Sequence, residues 1–351
     1  MARDNFSPTV KAALAKRAGY RCSFPGCPAT TVGPSDESST ATSNTGEAAH
    51  INSASGGKGA RRHDPSLSPE QRSSIDNGVW CCNVHAELID TDEVTYTVGL
   101  LKSWRRLAEL KAKIRQSHGN IELVRHPELT SLGIAPDTVS VSKDDGNEKI
   151  GRAVEYSCIR EIWGKPLAGA LRDFLIEHSR NVLSHGQASA VEIKFSNHCV
   201  EINDNGAGPL DFAVLNDPDR SRGGGMAYRE LLVTLRLSGI SASREDGINK
   251  VYIPLISSAK ELPKVNPCAV FLSSDNDPQH TKEELQLLAM CDRVYVIAPD
   301  YTCFSDSDKY EKKLVQIIKH HPNVTIVLQD VTVGVLNYFR KKLQGVEVVA
   351  W

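Results

Sequence analysis

The sequence predicts an α+β protein of two to three domains. It has 351 residues, more than one ordinary domain needs, and 40% hydrophobic and 24% charged residues are typical of a soluble globular chain. Apolar patterns of helical period alternate with patterns of strand period along the chain. The formal net charge of −2 excludes a globally basic nucleic-acid coat protein.

The expected compartment follows from the lack of membrane-spanning and secretion signals in the sequence. No run of 18 apolar residues exists, and the N-terminus, MARDNFSPTV, lacks the apolar stretch of a secretion signal. We therefore expect a cytoplasmic protein without a membrane partner. The nine cysteines are then expected to be metal ligands or buried thiols rather than disulfides.

Residues 1–117 form the first predicted domain and carry 15 Lys and Arg against 12 Asp and Glu. Ser7-Pro8 predicts the start of a helix over Thr9–Arg17, and a Leu-rich, basic pattern predicts another over Thr97–Gln116. The small polar stretches Thr30–Ser43 and Ser53–Ser74 predict loops. Residues 118–165 are predicted to be a connector with a weak strand pattern at 138–141.

Residues 166–257 form the second predicted domain. An amphipathic helix comes first, two alternating strands follow, and a glycine-rich loop then precedes another helix and strand. The predicted elements are the helices Ala168–Leu183 and Met226–Ser238 and the strands Ala190–Phe195, Cys199–Asn203 and Lys250–Leu255.

Residues 265–351 predict a small parallel α/β domain, because short apolar strands alternate with helices. The strands are expected at Ala269–Leu272, Arg293–Ile297, Val324–Leu328 and Val346–Ala350, and the helices at Thr281–Met290, Asp308–His320 and Val333–Leu343. A docking, oligomerisation or ligand-sensing role would suit this mildly acidic region.

Two short-spaced ligand pairs indicate a metal site in the first domain. Cys22 and Cys27 flank a tight turn, and Cys82 and His85 form a second pair. Two such pairs can close a tetrahedral zinc site, since each pair presents both ligands to one ion. The alternative is a set of cysteines packed as small hydrophobic residues, and Cys81 is expected to belong to the core.

The motifs around these pairs resemble those of the HNH (ββα-metal) endonucleases. The resemblance is carried by the segments Arg17–Cys27, Ala48–Ile51, Ser66–Arg72 and Asn77–Asp90, with similarity continuing to Thr97–Trp104. Nuclease heads of this kind occur in bacterial anti-phage effectors, including cyclic-nucleotide-activated HNH–SAVED proteins. The resemblance implies cleavage of double-stranded DNA with Mg²⁺ or Mn²⁺, with His50 as the general base and Asn77 orienting the loop that carries it.

One departure from the HNH pattern leaves an assignment open. Many members have Cys-His at the end of the motif, one residue for structural zinc and one for the catalytic ion, whereas this chain has His85-Ala86. We assign His85 to zinc, which leaves the ligands of the catalytic metal unidentified; the rival assignment gives His85 to the catalytic metal. The loop 58–63 and the cations Lys102, Arg105, Arg106 and Lys113 could neutralise DNA phosphates or form an ordinary solvated face.

The second domain resembles the GHKL ATPases, the class that contains MutL and the histidine-kinase catalytic domains. The resemblance covers residues 168–256 and rests on three boxes in order: Glu177-x-x-x-Asn181, Asp204-x-Gly206-x-Gly208 and the loop Gly223, Gly224 and Gly225. It implies ATP binding, with a catalytic Glu177 that activates water.

Elementary chemistry supports each GHKL box. Glu177 and Asn181 share one helical face, so the amide oxygen of Asn181 can bind Mg²⁺ beside the carboxylate. Asp204 can accept a hydrogen bond from an adenine amino group, and Gly206 and Gly208 allow close approach to the base and ribose. The Gly223–Gly225 amides at a helix start suit phosphate oxygens.

These features together predict a metal-dependent HNH DNA endonuclease that a GHKL-type ATP-binding domain regulates, with a role in anti-phage defence. A homodimer or higher oligomer is expected, since one head nicks one strand. Two alternatives remain: a nucleotide-controlled zinc-knuckle clamp that binds DNA without cutting it, and an HNH effector switched by a cyclic nucleotide.

Overall fold

The computed structural model describes residues 3–56, 59–220, 222–235, 239–272 and 286–351. They form a mixed α/β protein that divides into two compact units, Met1–Asp137 with Arg152–Ala168, and Thr138–Gly151 with Gly169–Trp351.

The helices and strands follow in chain order. The helices are α1 (Pro8–Arg17), α2 (Pro69–Arg72), α3 (Asn83–Thr91), α4 (Val98–His118), α5 (Pro127–Leu132), α6 (Gly146–Tyr156), α7 (Ile159–Trp163), α8 (Lys165–Ser184), α9 (Phe212–Asn216), α10 (Gly223–Leu235), α11 (Leu262–Val265), α12 (Ser307–His320) and α13 (Val333–Lys342). The strands are β1 (Val32–Pro34), β2 (Thr42–Asn44), β3 (Gly46–His50), β4 (Gly78–Cys82), β5 (Asp137–Val141), β6 (Val191–Ser196), β7 (Cys199–Asp204), β8 (Ser241–Glu245), β9 (Ile248–Pro254), β10 (Ala269–Phe271), β11 (Val294–Ile297), β12 (Val324–Leu328) and β13 (Glu347–Ala350).

Helix starts in the first unit agree with the capping residues of the sequence. The Ser7 hydroxyl accepts a hydrogen bond from the Val10 N–H at the start of α1, and Thr97 caps α4 through the Leu100 N–H. The apolar side of α4 buries Leu101 and Trp104 completely. These contacts fix both helices against the β3–β4 hairpin.

The β3–β4 hairpin and α3 form a β-β-α arrangement. The two strands pair antiparallel, with Gly46 opposite Cys82 at one end and His50 opposite Gly78 at the other. A Cβ added at Gly46 would lie 2.3 Å from the Trp80 ring, so only glycine fits there. Helix α3 begins directly after β4 and therefore stays beside the hairpin.

A five-stranded sheet, ordered β5-β6-β7-β9-β8, is the centre of the first part of the second unit. Strands β6, β7, β9 and β8 pair antiparallel with their neighbours. Along β6, buried Val191, Ile193 and Phe195 alternate with more exposed residues, as expected for a sheet with one face in the core. The predicted strands and both predicted helices of this region are confirmed over the described residues, whereas β8 was not predicted.

The C-terminal part of the second unit is a four-stranded parallel sheet in the order β10-β11-β12-β13. Its core combines these strands with α12 and α13, including the fully buried Leu314 and Phe339. The predicted parallel α/β pattern is therefore confirmed. Residues 281–285, half of the predicted helix Thr281–Met290, lie outside the described residues, and 286–288 are helical.

Three expectations from the sequence need correction. Cys268 and Cys291 form a disulfide, because the register of the parallel sheet brings together two cysteines that are 23 residues apart. Residues 30–43 were expected to be loop, but they contain β1 and the start of β2, which pair as a hairpin. The predicted loop 53–74 contains the short helix α2, which a Ser68–Gln71 capping box begins.

Among the described residues, no helix combines the length and the apolar character that a membrane span needs.

Candidate functional site

Four potential metal ligands converge in the first unit. One donor atom from each of Cys22, Cys27, Cys82 and His85 lies within 4.8 Å of the other three. His85 Nδ1 is 3.0 Å from Cys82 Sγ and 3.5 Å from Cys22 Sγ. Three thiols and one imidazole are a donor set that zinc prefers in structural sites. This cluster could therefore bind a metal ion such as zinc.

The local fold explains why these donors meet. Gly26 has a φ of +74°, which lets the chain turn back between Cys22 and Cys27. The Ser23 N–H donates to the Trp80 carbonyl at 2.9 Å, and this bond holds the turn beside the end of β4, where Cys82 lies. Cys82 precedes the first residue of α3, so His85 follows within the first helical turn.

The His85 ring is also positioned by aromatic packing. Phe24 stacks on it with ring centroids 3.8 Å apart and an angle of 15° between the rings. The structure thus brings His85 to the cysteine set. Cys81 is fully buried, as expected for a core residue, and its hydrogen bond to Cys22 contributes most to lowering the pKa of the Cys22 thiol to about 5.

His50 ends strand β3 at the opposite end of the hairpin from Cys82. Its ring is 7% exposed, stacks on Phe6 at 3.8 Å, and has Nε2 3.3 Å from the Asp4 carbonyl. Burial is the main reason that the pKa of His50 falls to about 4. The imidazole is therefore neutral at neutral pH, the form that can accept a proton.

Asn77 precedes β4 and is buried against the segment that follows His50. Its side-chain oxygen accepts hydrogen bonds from the Asn52 backbone N–H at 2.7 Å and from the Asn52 amide at 3.1 Å. Its Nδ2 donates to the carbonyls of Asn52 and Arg72, at 2.8 and 2.9 Å. These bonds hold the segment that directly follows His50.

Arg62 has a structural role that sequence reasoning missed. Its side chain is 5% exposed, and the guanidinium donates to the carbonyls of Ile51 and Ile89, both at 2.7 Å. The bonds join the loop after His50 to helix α3. The Arg62 side chain is thus buried and committed to backbone carbonyls, so it is not one of the exposed cations of the loop 58–63. In the sequence, nothing distinguishes the buried Arg62 from its exposed neighbour Arg61.

Arg105, a cation considered either for phosphate contact or for an ordinary solvated face, is likewise engaged inside the protein. Its side chain is 13% exposed, bonds to Glu109 at 2.9 Å and donates to the Ile75 carbonyl at 2.8 Å. Lys102 and Arg106 remain exposed on α4. Lys58 lies outside the described residues.

Among the described residues, His50 has no comparable set of metal ligands beside it. Within the described ranges, the Cys22, Cys27, Cys82 and His85 set is the single group of three or more His, Cys, Asp or Glu side chains close enough to share an ion. A catalytic ion near His50 would therefore depend on fewer than three such side chains, with water and substrate oxygens completing its coordination, as Mg²⁺ commonly does.

Two of the motifs that resemble GHKL boxes, Glu177-x-x-x-Asn181 and Gly223–Gly225, meet in the second unit. Glu177 and Asn181 lie on α8, against the first turn of α10. A Cβ added at Gly223 would be 2.6 Å from Glu177 Oε2, and one added at Gly224 would be 2.7 Å from Asn181 Nδ2. The helix start therefore lies against these two side chains, whose flexible ends a larger residue would displace, while Gly225 is buried in the same turn.

Asp204, at the end of β7, lies in a buried polar network. Its Oδ1 accepts from the Gly206 N–H and from Asn249 Nδ2, both at 2.8 Å, and Oδ2 is 3.5 Å from His178 Nε2. Burial would raise the pKa of Asp204, but the bonds from His178, Asn249 and Gly206 outweigh it and hold that pKa below its usual range.

Asn249 is a second residue that sequence reasoning missed. It stands opposite Asp204 in the β7–β9 register, and its Oδ1 accepts a 2.5 Å hydrogen bond from Arg244. Arg244 also donates to the Gly206 carbonyl at 3.0 Å, so the network fixes the first glycine box. An Asn within a strand gives no signal of this role. Gly208, two residues after Gly206, is exposed with open space around it.

Comparisons with known proteins give no family for this chain. No protein-family model matches it, and no curated protein is significantly similar in sequence.

Proposed function

We propose that the chain is a metal-dependent DNA endonuclease whose nuclease head lies in the first unit. The observation that carries the proposal is the neutral, buried His50 at the end of a β-hairpin, with Asn77 holding its loop and a helix following the second strand. The four-ligand metal cluster supports it, because a Cys₃His site would stabilise this small hairpin and helix.

His50 would act as the general base. A neutral imidazole takes a proton from the attacking water, and the developing hydroxide attacks the scissile phosphorus while the P–O bond to the leaving oxygen breaks. Because Phe6 and the Asp4 carbonyl cover the ring, residues 4–6 would have to move for a substrate to reach it on that side. A bound divalent cation would supply stabilisation of the charge that develops on the phosphate.

Plasmid cleavage tests this proposal and separates it from the clamp alternative. Supercoiled plasmid is incubated with the purified chain and Mg²⁺ or Mn²⁺, with an EDTA quench series as control. Conversion to nicked or linear DNA that requires the added metal supports a nuclease. Binding of the same plasmid in a mobility-shift assay without cleavage would support the zinc-knuckle clamp instead.

The second unit would bind ATP as a regulator of this nuclease. Support comes from the approach of Glu177 and Asn181 to the first turn of α10. The first N–H groups of a helix have no acceptor within the helix and suit phosphate oxygens. Asn181 would hold a nucleotide-bound Mg²⁺, and Glu177 would polarise water. Dimerisation on nucleotide binding would bring two nuclease heads to one duplex, which suits an anti-phage effector.

A further inference from the structure

A polar cavity of about 220 Å³ lies in the first unit, between the turn at residues 21–27 and helix α4. It is larger than the ~150 Å³ cavity that admits benzene in a protein core. The space therefore accommodates a tetrahedral oxyanion with accompanying water.

Three cations line this cavity. Arg21 comes from the turn, and Lys111 and Arg115 lie four residues apart on one side of α4. Within the described part of the chain, no carboxylate lies within the 4.0 Å ion-pair distance of any of the three. Their mutual repulsion is thus uncompensated by a direct ion pair.

Burial also disfavours the positive charge on Lys111. Removal from water lowers the pKa of Lys111, and the positive charges of Arg115 and Arg21 lower it further, against the opposing charge of Glu161. An anion in the cavity would offset both effects. The cation set therefore gains electrostatic stabilisation from a negatively charged ligand.

Glu161 is the one acidic residue in the cavity lining. Its Oε1 accepts a 2.8 Å hydrogen bond from the Gly26 N–H, so it also anchors the turn that carries the cysteines. The four charged groups together have a formal charge of +2. The cavity is therefore suited to an anion rather than to a metal ion.

We propose that Arg21, Lys111 and Arg115 form a binding site for a phosphate group, presented either by the DNA backbone or by a free phosphate compound. Guanidinium and ammonium groups are the usual phosphate partners in proteins. The site is separate from His50. The cavity borders Cys22 and Cys27, which lie beside the Cys82 end of the β3–β4 hairpin. His50 lies at the other end, about 13 Å away along β3. The proposed phosphate site does not depend on whether the chain is a nuclease.

Calorimetric titration of the zinc-loaded full chain with sodium phosphate, against chloride at equal ionic strength, tests the site. The wild type should bind phosphate, and Lys111→Gln and Arg115→Gln should each weaken binding about tenfold or more, the worth of a charged hydrogen bond. Glu161→Gln should bind phosphate more tightly, because it removes the negative charge and keeps an acceptor for Gly26. Lys143→Gln, an exposed cation of the second unit, is the control and should match the wild type.

A parallel titration with a short DNA duplex, without added Mg²⁺ or Mn²⁺, identifies the source of the phosphate. If Lys111→Gln weakens duplex binding and inorganic phosphate competes with the duplex, the site holds the DNA backbone. If only phosphate binding falls, the ligand is a free phosphate compound. Failure of the folded wild type to bind phosphate, with duplex affinity equal in wild type and Lys111→Gln, would overturn the proposal.

Discussion

The side chain of Asn77 hydrogen bonds to both backbone groups of Asn52, accepting from its N–H at 2.7 Å and donating to its carbonyl at 2.8 Å. The last residue pair of β3 and β4 is His50 with Gly78. The Asn77 side chain therefore joins the two chain segments beyond the end of both strands. Since His50 is two residues before Asn52, this contact fixes the direction in which the chain leaves the candidate base.

Replacing Asn77 should therefore cost stability. Asn77→Ala leaves the buried N–H and carbonyl of Asn52 without partners, and we expect a loss of about 2–4 kcal/mol in the free energy of unfolding. Asn52→Ala is the matched control, because it removes one side-chain bond and keeps both backbone bonds. Urea unfolding followed by tryptophan fluorescence measures both. Equal stability of Asn77→Ala and wild type would contradict this role.

Zinc retention tests the Cys₃His cluster. The purified chain should carry about one zinc ion, and Cys22→Ser should lose it and unfold the N-terminal part, because metal binding and folding of such a site are coupled. Cys81→Ser changes a neighbouring buried thiol outside the donor set and should keep zinc. Elemental analysis gives the metal content. Well-folded wild-type protein without zinc would refute the assignment, and zinc retained in His85→Ala with cleavage lost would return His85 to the catalytic ion.

The depressed pKa of His50 predicts two pH dependences. The unfolded chain binds a proton near pH 6.5 and the folded chain only near pH 4, so this residue's contribution to stability is complete above pH 6.5 and is lost as the pH falls toward 4. Cleavage should persist at pH 5, since the folded imidazole is still neutral there. Thermal unfolding and initial cleavage rates from pH 4 to 8 measure both. An activity that halves near pH 6.5 would contradict the buried environment.

The two polar residues of α8 should differ in their effects on ATP. Asn181→Ala should lose nucleotide binding, because it removes the Mg²⁺ ligand, whereas Glu177→Gln should bind ATP and hydrolyse it slowly. Asp173→Asn lies one turn earlier on α8 and should behave as wild type. Binding of a fluorescent ATP analogue and phosphate release measure these steps. Normal ATP binding by Asn181→Ala would exclude its proposed role.

The same variants test the coupling between the domains. If nucleotide occupancy licenses the nuclease, Glu177→Gln should cut DNA at least as well as wild type and Asn181→Ala poorly. If ATP hydrolysis drives activation, both should be inactive, and if occupancy restrains the nuclease, Asn181→Ala should cut constitutively. Equal cleavage by all three proteins, with and without ATP, would mean that the domains act independently.

Much of the secondary structure could be predicted because it depends on local signals. Ser7-Pro8 marks the start of α1, and the apolar alternation of β6 and the repeated strand–helix pattern after residue 265 have clear periods. Strands β1 (Val-Gly-Pro) and β2 (Thr-Ser-Asn) are three residues each, too short to show a period. The predicted connector contains α5, α6 and α7. Helices α5 and α7 are only six and five residues long, whereas α6 has 11 residues and was missed despite its length.

The candidate sites were predictable where spacing carries the information. Pairs such as Cys82 and His85 share one helical turn, so their convergence follows from local geometry. The role of Arg62 depends on carbonyls 11 and 27 residues away, and the disulfide depends on the register of a parallel sheet. Such long-range pairings leave no periodic trace in one sequence.

Single-turnover cleavage of a plasmid by His50→Ala tests the central claim most directly. The variant should retain zinc and DNA binding, while the rate of cleavage falls by about two to four orders of magnitude, the usual contribution of positioned proton transfer. His63→Ala, an exposed histidine of the following loop, is the matched control and should cut at the wild-type rate. Wild-type cleavage by His50→Ala, or loss of cleavage in His63→Ala alone, would contradict the assignment of His50 as the general base.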